Sequence, residues 1–332
     1  MDVFAPKYYK EFQCIASACP DSCCKEWAVD VDAESANYYR GLSGDLGQRL
    51  QDVLKETSDG WVMTIENGRC PMWQRDGLCR IQVELGHEAL CKTCRDFPRI
   101  SHDYGNFKEL GLELSCPEAA RLILSSPNWC MEQLHPEGDE DCNYDAALMK
   151  ILCRSRKEVL TFLENSTYPL PQTIAVILLF IHQVQSEIDG GETVCFEAET
   201  LLAQIDTFPK SKDLNALFGF FGNLEVLTPR WKERLAQVPD KISWSPTCKA
   251  FARYLIQRYW LQAVSDYDLV CRGKMIVAAC ILVAALGGDT VQTAQLFSKE
   301  IENDLDNINA ILDSAYTSPA FIDVNLFGLL LP

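Results

Sequence analysis

The first third of the chain holds cysteines at a density that could build an inorganic centre. Residues 14–24 read CIASACPDSCC, four cysteines in eleven residues. Nine of the 16 cysteines precede residue 120: Cys14, Cys19, Cys23, Cys24, Cys70, Cys79, Cys91, Cys94 and Cys116. Thiols so closely spaced form disulfides, bind a metal ion or hold an iron–sulfur cluster.

The start of the chain favours metal ligation over disulfides. Residues 1–12, MDVFAPKYYKEF, contain no apolar stretch and carry acidic residues where a signal peptide is basic. We therefore expect a cytoplasmic location, in which thiols stay reduced. The most apolar runs, 174–181 and 275–286, are shorter than a bilayer span, so we expect no membrane partner.

The spacing of the nine thiols bears on the identity of the metal. Thiolates select zinc, copper(I) or iron–sulfur clusters. Structural zinc usually takes two close pairs of ligands, and Cys91-x2-Cys94 is the single Cys-x2-Cys pair in this segment. The irregular spacing favours an iron–sulfur cluster, with zinc as the alternative, and all nine cysteines are candidate ligands.

A radical mechanism can be tested against the same spacing. Radical S-adenosylmethionine enzymes use Cys-x3-Cys-x2-Cys, which leaves one iron open. Here Cys19-x3-Cys23 is followed by Glu26 at the third position. The spacing therefore argues against radical chemistry.

The charge balance excludes one class of partner. The chain carries 30 Lys and Arg against 47 Asp and Glu, a formal net charge of −17. Nucleic-acid-binding proteins carry an excess of positive charge, so we expect no nucleic-acid partner. An acidic surface suits a basic protein, such as one whose exposed lysines are modified.

Apolar periodicity predicts a mainly α fold. We expect an irregular cysteine-rich module at 1–124, an acidic connection at 125–145, and a multi-helix domain at 146–332 that packs against the module. Helices are predicted near 198–205, 214–224, 247–264, 272–286 and 290–315. No Gly-rich turn follows a strand pattern, so we expect no Rossmann-type domain.

One helical segment mixes polar and aromatic residues and could line a pocket. It reads RYLIQRYWLQAVSDYD, residues 253–268. The candidate catalytic residues in it are Tyr254, Tyr259, Asp266 and Asp268, and Trp260 is a candidate cofactor-binding residue. The alternative is that the aromatic residues are core and that Asp266 caps a following helix.

Two further groups of polar residues lie outside this helical segment. Arg95 and Arg99 lie beside Cys94 and are candidate cofactor-binding residues, because a guanidinium would offset the negative charge of a thiolate-held cluster. The alternative is a surface ion pair with Asp96 or with Asp103. Glu300, Glu302 and Asn303 form a polar stripe that we interpret as a solvated helix face.

Several segments, in order, resemble the flagellin lysine-N-methylase family. They are FQCIASACPDSCCKEW, CPMWQRDGLCRIQVELGHEALCKTCRDFPR, LELSCPEAARL, RYLIQRYWLQAVSDYDL and SKEIENDLDNINAIL. The N-terminal third also resembles zinc- or iron-chelating cysteine-rich proteins through CxxxCC, CP…GxC and CR-x-[FY]-P.

The resemblance implies an enzyme that transfers methyl groups from S-adenosylmethionine to surface lysine ε-amino groups of flagellin. It also implies a [4Fe–4S] cluster in the cysteine module. The alternative function is that of a non-catalytic zinc- or iron–sulfur-binding or redox-sensing protein.

Overall fold

Helices make up most of the chain in the computed structural model, which describes residues 2–126, 130–136, 144–205, 207 and 210–331. The prediction of a mainly α fold is confirmed. The described α-helices are α1 (Tyr8–Glu11), α2 (Ala33–Gly41), α3 (Gly44–Val53), α4 (Arg80–Leu85), α5 (Lys92–Asp96), α6 (Pro117–Ser125), α7 (Ala146–Asn165), α8 (Leu170–Ile188), α9 (Ala198–Ile205), α10 (Leu214–Gly222), α11 (Pro229–Leu235), α12 (Thr247–Tyr259), α13 (Leu269–Leu286), α14 (Thr290–Phe297), α15 (Leu305–Ser314) and α16 (Asp323–Leu330).

Two small sheets occupy the first part of the chain, which we had expected to be irregular. The strands are β1 (Asp2–Pro6), β2 (Val29–Val31), β3 (Leu54–Thr57), β4 (Gly60–Met63), β5 (Arg99–Asp103), β6 (Phe107–Leu112) and β7 (Met131–Pro136). One sheet has the order β5-β6-β1-β7, with β1 parallel to β6 and antiparallel to β7. The other has the order β2-β4-β3 and is antiparallel. Strand β7 lies inside the predicted acidic connection.

The buried side chains form two hydrophobic clusters. The smaller one joins β2, α2, α3 and β4 to residues of the cysteine motif, including Cys70 and Cys91. The larger one joins the helices after residue 146 to α6 and to Tyr8 and Phe12 near the start of the chain. The smaller cluster therefore lies within the cysteine-rich part, and the larger one joins that part to the helices after residue 146. The predicted division at residues 124 and 145 stays a prediction.

Helix α13 is the centre of the larger cluster. It is the one described helix long and apolar enough to span a membrane, and 94% of it is buried by the rest of the protein. Asp268 caps its first turn by accepting a hydrogen bond from the backbone N–H of Cys271 at 2.9 Å. Such enclosure is expected of a core helix that is apolar on all sides.

The predicted single helix over 290–315 is interrupted. Helix α14 ends at Phe297, a π-helix follows over Ser298–Glu302, and α15 begins at Leu305. The carboxylate of Asp304 accepts hydrogen bonds from the N–H groups of Asp306 and Asn307, which starts a new helix. A π-turn rotates the following side chains relative to an α-helix, and such turns frequently occur at functional sites.

Substitution of Gly328 by alanine should destabilise the fold, because α16 approaches a backbone carbonyl at this residue. A Cβ built on Gly328 would lie 1.8 Å from the carbonyl oxygen of Ser211. We expect Gly328→Ala to lower the free energy of unfolding by about 1–3 kcal/mol in urea titrations, through overpacking. The control is Gly219→Ala in α10, where a Cβ meets nothing within 4 Å. Equal stabilities of the two variants would contradict this account.

Candidate functional site

A cavity of about 460 Å³ lies between the cysteine-rich segments and the C-terminal helices. Seven of the nine predicted ligands line it, and Cys70 and Cys91 are buried among the residues of the smaller hydrophobic cluster. The lining cysteines are Cys14, Cys19, Cys23, Cys24, Cys79, Cys94 and Cys116. Lys299 of the π-helix over Ser298–Glu302 and Asn303 after it also line the cavity, so it joins residues that are distant in sequence.

Within the cysteine-rich wall, thiols contact one another in two groups. Hydrogen bonds from Cys23 and Cys70 lower the pKa of the Cys24 thiol to about 3. A hydrogen bond from Cys94 likewise lowers the pKa of Cys91. Every cysteine that the structure describes is free of disulfide bonds. The segment thus gathers reduced sulfur donors around one cavity.

The thiols supply suitable donors for a metal centre, but their side chains are not arranged as a finished ligand set. Among the described residues, no group of three or more His, Cys, Asp or Glu side chains could hold a metal ion as placed. A metal-bearing module is therefore not confirmed. The chemistry of the donors still matches a zinc or iron–sulfur centre, since soft thiolates are the ligands that both prefer.

Both candidate cofactor-binding arginines, Arg95 and Arg99, line the cavity, and their role stays a prediction. The guanidinium of Arg99 lies over the ring of Phe12, 5.2 Å from its centroid. Arg95 is partly exposed and lies 4.0 Å from the carboxylate of Asp96. Both arginines can therefore place positive charge beside the cysteines.

Lys299 is a functional candidate that the sequence analysis missed. It belongs to the π-helix, its side chain is only 9% exposed, and it lines the cavity. Its ammonium lies 3.1 Å from Asp21 and 2.6 Å from Glu26, on either side of Cys23 and Cys24. Burial opposes the charge, but the hydrogen bond to Glu26 and the charge of Asp21 raise the pKa of Lys299. The lysine therefore stays charged and fixes the segment that carries adjacent cysteines.

The polar stripe at Glu300, Glu302 and Asn303 is not a solvated helix face, so that interpretation was wrong. Glu300 is 1% exposed and Glu302 is 6% exposed. Glu300 accepts hydrogen bonds from the N–H of Leu227 at 2.8 Å and from the hydroxyl of Thr228. The π-turn points these carboxylates into the protein, which a regular helical pattern did not predict.

Two predicted catalytic residues, Tyr254 and Tyr259, belong to one buried polar network. Their hydroxyls donate to the carboxylate of Glu302, at 3.3 Å and 2.8 Å. Arg258 lies 3.6 Å from Glu302 and 3.5 Å from Glu113. Burial raises the pKa of both tyrosines well above the usual value, so both stay protonated. Neither lines the cysteine cavity, and their catalytic role stays a prediction.

The other predicted residues of this segment lie apart from the cavity and have partners of their own. Asp268 caps α13 and accepts from the hydroxyl of Tyr316 at 2.8 Å. Asp266 pairs with Arg272 at 2.7 Å. Trp260 is fully buried and donates its indole N–H to Ser155 at 3.0 Å. The structure does not bring these three together with the cysteines, and their assigned roles stay predictions.

A second, smaller cavity of about 30 Å³ borders the tyrosine network. Tyr254, Arg258 and Glu109 line it, together with His102 on β5. The Nε2 atom of His102 is buried without a hydrogen-bond partner among the described residues. Burial, assisted by the positive charge of Arg258, lowers the pKa of His102 to about 4. The imidazole is therefore neutral near pH 7.

Comparison with curated proteins finds similarity to a flagellar biosynthetic protein and to two lysine-N-methylases. The flagellar biosynthetic protein FliU of Salmonella muenchen is 35% identical over 133 residues, which cover 38% of this chain and 79% of FliU. The lysine-N-methylases of Salmonella choleraesuis and Salmonella typhimurium are 37% and 35% identical over 134 and 133 residues. These matches span 33% of each methylase. No family model and no solved structure matches the chain.

Removal of the Lys299 ammonium should loosen the segment with the adjacent cysteines. In Lys299→Met, Asp21 and Glu26 lose a buried counter-ion, and we expect a loss of about 1–3 kcal/mol in unfolding free energy. We also expect faster amide hydrogen exchange in residues 14–26. The control is Lys25→Met, since Lys25 lies 4.0 Å from Asp21 and is more exposed. Unchanged exchange in Lys299→Met would refute this role.

Stability should fall in acid because of His102. The unfolded imidazole titrates near pH 6.5 and the folded one near 4, so the unfolded state binds an extra proton between these values. The stabilisation is thus present above pH 6.5 and is lost as the pH falls towards 4, by roughly 2.5 kcal/mol at pH 4.5.

Urea titrations from pH 7 to pH 4.5 test this linkage. The variant His102→Gln should show a flatter dependence on pH than the wild type. The matched control is His87→Gln, at the wall of the larger cavity. If His102→Gln retains the full slope, the buried imidazole is not its source.

Proposed function

Because this chain belongs to the flagellin lysine-N-methylase family, we propose that it is a protein-lysine N-methyltransferase acting on flagellin with S-adenosylmethionine as methyl donor. The observation that carries the proposal is the 35% identity to FliU over 79% of that protein. Two named lysine-N-methylases align over a similar length of this chain. The chain spans about a third of each of those methylases, and the activity of this chain is inferred from the shared part.

The cavity supports a methyl donor of this kind. Its volume of about 460 Å³ falls in the range of cofactor sites. Aromatic rings on its wall suit a sulfonium, and Trp27 and Phe97 form an edge-to-face pair with centroids 5.7 Å apart. Arg95 and Arg99 suit the carboxylate of the methionine portion.

The proposed reaction is a displacement at carbon. The lone pair of a neutral lysine nitrogen forms a bond to the methyl carbon, and the carbon–sulfur bond breaks with its electron pair going to sulfur. The products are S-adenosylhomocysteine and a methylated ammonium, which can then release one proton. No electron is transferred to or from the protein.

The substrate lysine must arrive without its proton. Two carboxylates on the cavity wall are already ion-paired, Asp21 with Lys299 and Glu118 with Arg121 at 2.6 Å. We therefore propose that desolvation at the cavity lowers the pKa of the incoming ammonium and that water accepts the proton. The net charge of −17 suits a lysine-bearing partner.

A thiolate-held centre is part of the proposal. The nine cysteines would supply the ligands of a [4Fe–4S] cluster, or of zinc as the alternative, and Arg95 and Arg99 would offset its negative charge. When bound, the centre would supply a rigid anchor for the loops, because methyl displacement needs no redox step. The gathering of seven thiols on one cavity wall supports this role.

Methyl transfer and metal content test the proposal together. Anaerobically purified protein should transfer labelled methyl groups to flagellin lysines and contain about four iron atoms per chain. Cys24→Ser and Cys94→Ser should lose most of the metal, whereas the exposed Cys153→Ser in α7 should keep it.

The outcomes separate the candidate functions. Metal-loaded protein that never labels lysine, but binds a partner differently after oxidation, would instead support the redox-sensing alternative. Zinc in a colourless and active protein would retain the methyltransferase and exclude the cluster. The label is read by mass spectrometry of flagellin peptides.

A further inference from the structure

Asn303 presents an unpaired amide at the wall of the cysteine cavity. The residue follows the π-helix over Ser298–Glu302 and lines the cavity. Its side-chain oxygen and nitrogen are both buried, and neither has a hydrogen-bond partner among the described residues. A buried polar group without a hydrogen bond lowers the free energy of unfolding by about 1–3 kcal/mol, so we expect the amide to bind a partner.

The charged side chains next to Asn303 all have partners, whereas the hydroxyl of Ser298 is, like the amide, buried without one among the described residues. Lys299 pairs with Asp21 and Glu26, while Glu300 accepts two hydrogen bonds from residues 227 and 228. Glu302 accepts from two tyrosine hydroxyls. The π-turn thus satisfies each of these charged groups inside the protein. Asn303 lines the cavity, and its amide has no partner among the described residues.

The hydrogen-bonding groups of a primary amide indicate which ligand groups can pair with it. The amide offers a donor and an acceptor side by side in one plane. A carboxylate would use only the donor, and an ammonium would use only the acceptor. A purine with an exocyclic amino group matches both, because its amino group donates beside a ring nitrogen that accepts. Asparagine makes this bidentate pair with adenine in protein–DNA complexes.

We propose that Asn303 binds the adenine ring of an adenosyl ligand in the cysteine cavity. The proposal rests on the proposed use of S-adenosylmethionine, and it assigns one end of that molecule to the π-helix side of the cavity. Asn303 is then a binding residue that orients the ligand by its base. Arg95 and Arg99, on the same wall, would hold the carboxylate end.

Calorimetric binding of adenosine and of S-adenosylhomocysteine tests the contact without measuring activity. We expect Asn303→Leu to weaken both ligands about tenfold or more, and by the same factor, because the shared part is the base. Asn303→Asp keeps the acceptor and loses the donor, so both affinities should also fall. The control is Asn223→Leu, an exposed amide at the end of α10, which should bind both ligands normally.

An NMR measurement on the wild type tests the same contact without depending on whether a variant folds. The side-chain amide resonances of Asn303 should shift when adenosine is added to protein labelled with ¹⁵N. Thermal unfolding of each variant shows that it is folded. The adenine contact would be overturned if adenosine binds without shifting the Asn303 amide resonances. It would also be overturned if Asn303→Leu and the wild type bind adenosine with equal affinity.

The two proposals fail in distinguishable ways. If the protein methylates flagellin but Asn303→Leu binds adenosine with unaltered affinity, only the adenine contact is overturned. Adenosine binding that depends on Asn303, with no methyl transfer to lysine, supports the contact and overturns the enzyme proposal. Wild-type protein that binds neither adenosine nor S-adenosylhomocysteine overturns the contact together with the adenosyl methyl donor.

Discussion

The ion pairs of Lys299 with Asp21 and Glu26 are the interaction on which the candidate site depends. They join the segment with the adjacent cysteines to a turn of the C-terminal helices, across 278 residues of sequence for Asp21. A buried ammonium needs carboxylates close by, and these carboxylates lie on a loop with little regular structure of its own. The charge requirement of one lysine therefore fixes the position of the loop.

The π-helix that carries Lys299 also carries a carboxylate that is bound in the protein interior. Lys299 faces the cavity, while Glu302, three residues later, faces the network of Tyr254, Tyr259 and Arg258. A short stretch of backbone thus links the cavity wall to a fully buried polar group. The register of the π-helix is fixed by Lys299 and by Glu302 together. A shift along the helix would leave the charges at the cavity and those in the tyrosine network without partners.

Some of this arrangement could be predicted from the sequence. Helical periodicity predicted most of the helices after residue 146 but none of α1 to α6, and the cysteine spacing predicted thiols around a shared space. The roles of Lys299 and Glu302 could not be predicted, because a charged stripe on a helix is usually solvated and its burial depends on partners far along the chain. Strand β1 was missed for a similar reason, since it pairs with strands about a hundred residues later.

The long separation between Asp21 and Lys299 has a consequence for biosynthesis. The cysteines emerge from the ribosome first, whereas the lysine that fixes their loop emerges after nearly 300 residues. During translation the thiols have neither this counter-charge nor the final wall of the cavity. A centre held by these thiols would consequently reach its finished surroundings only late in synthesis.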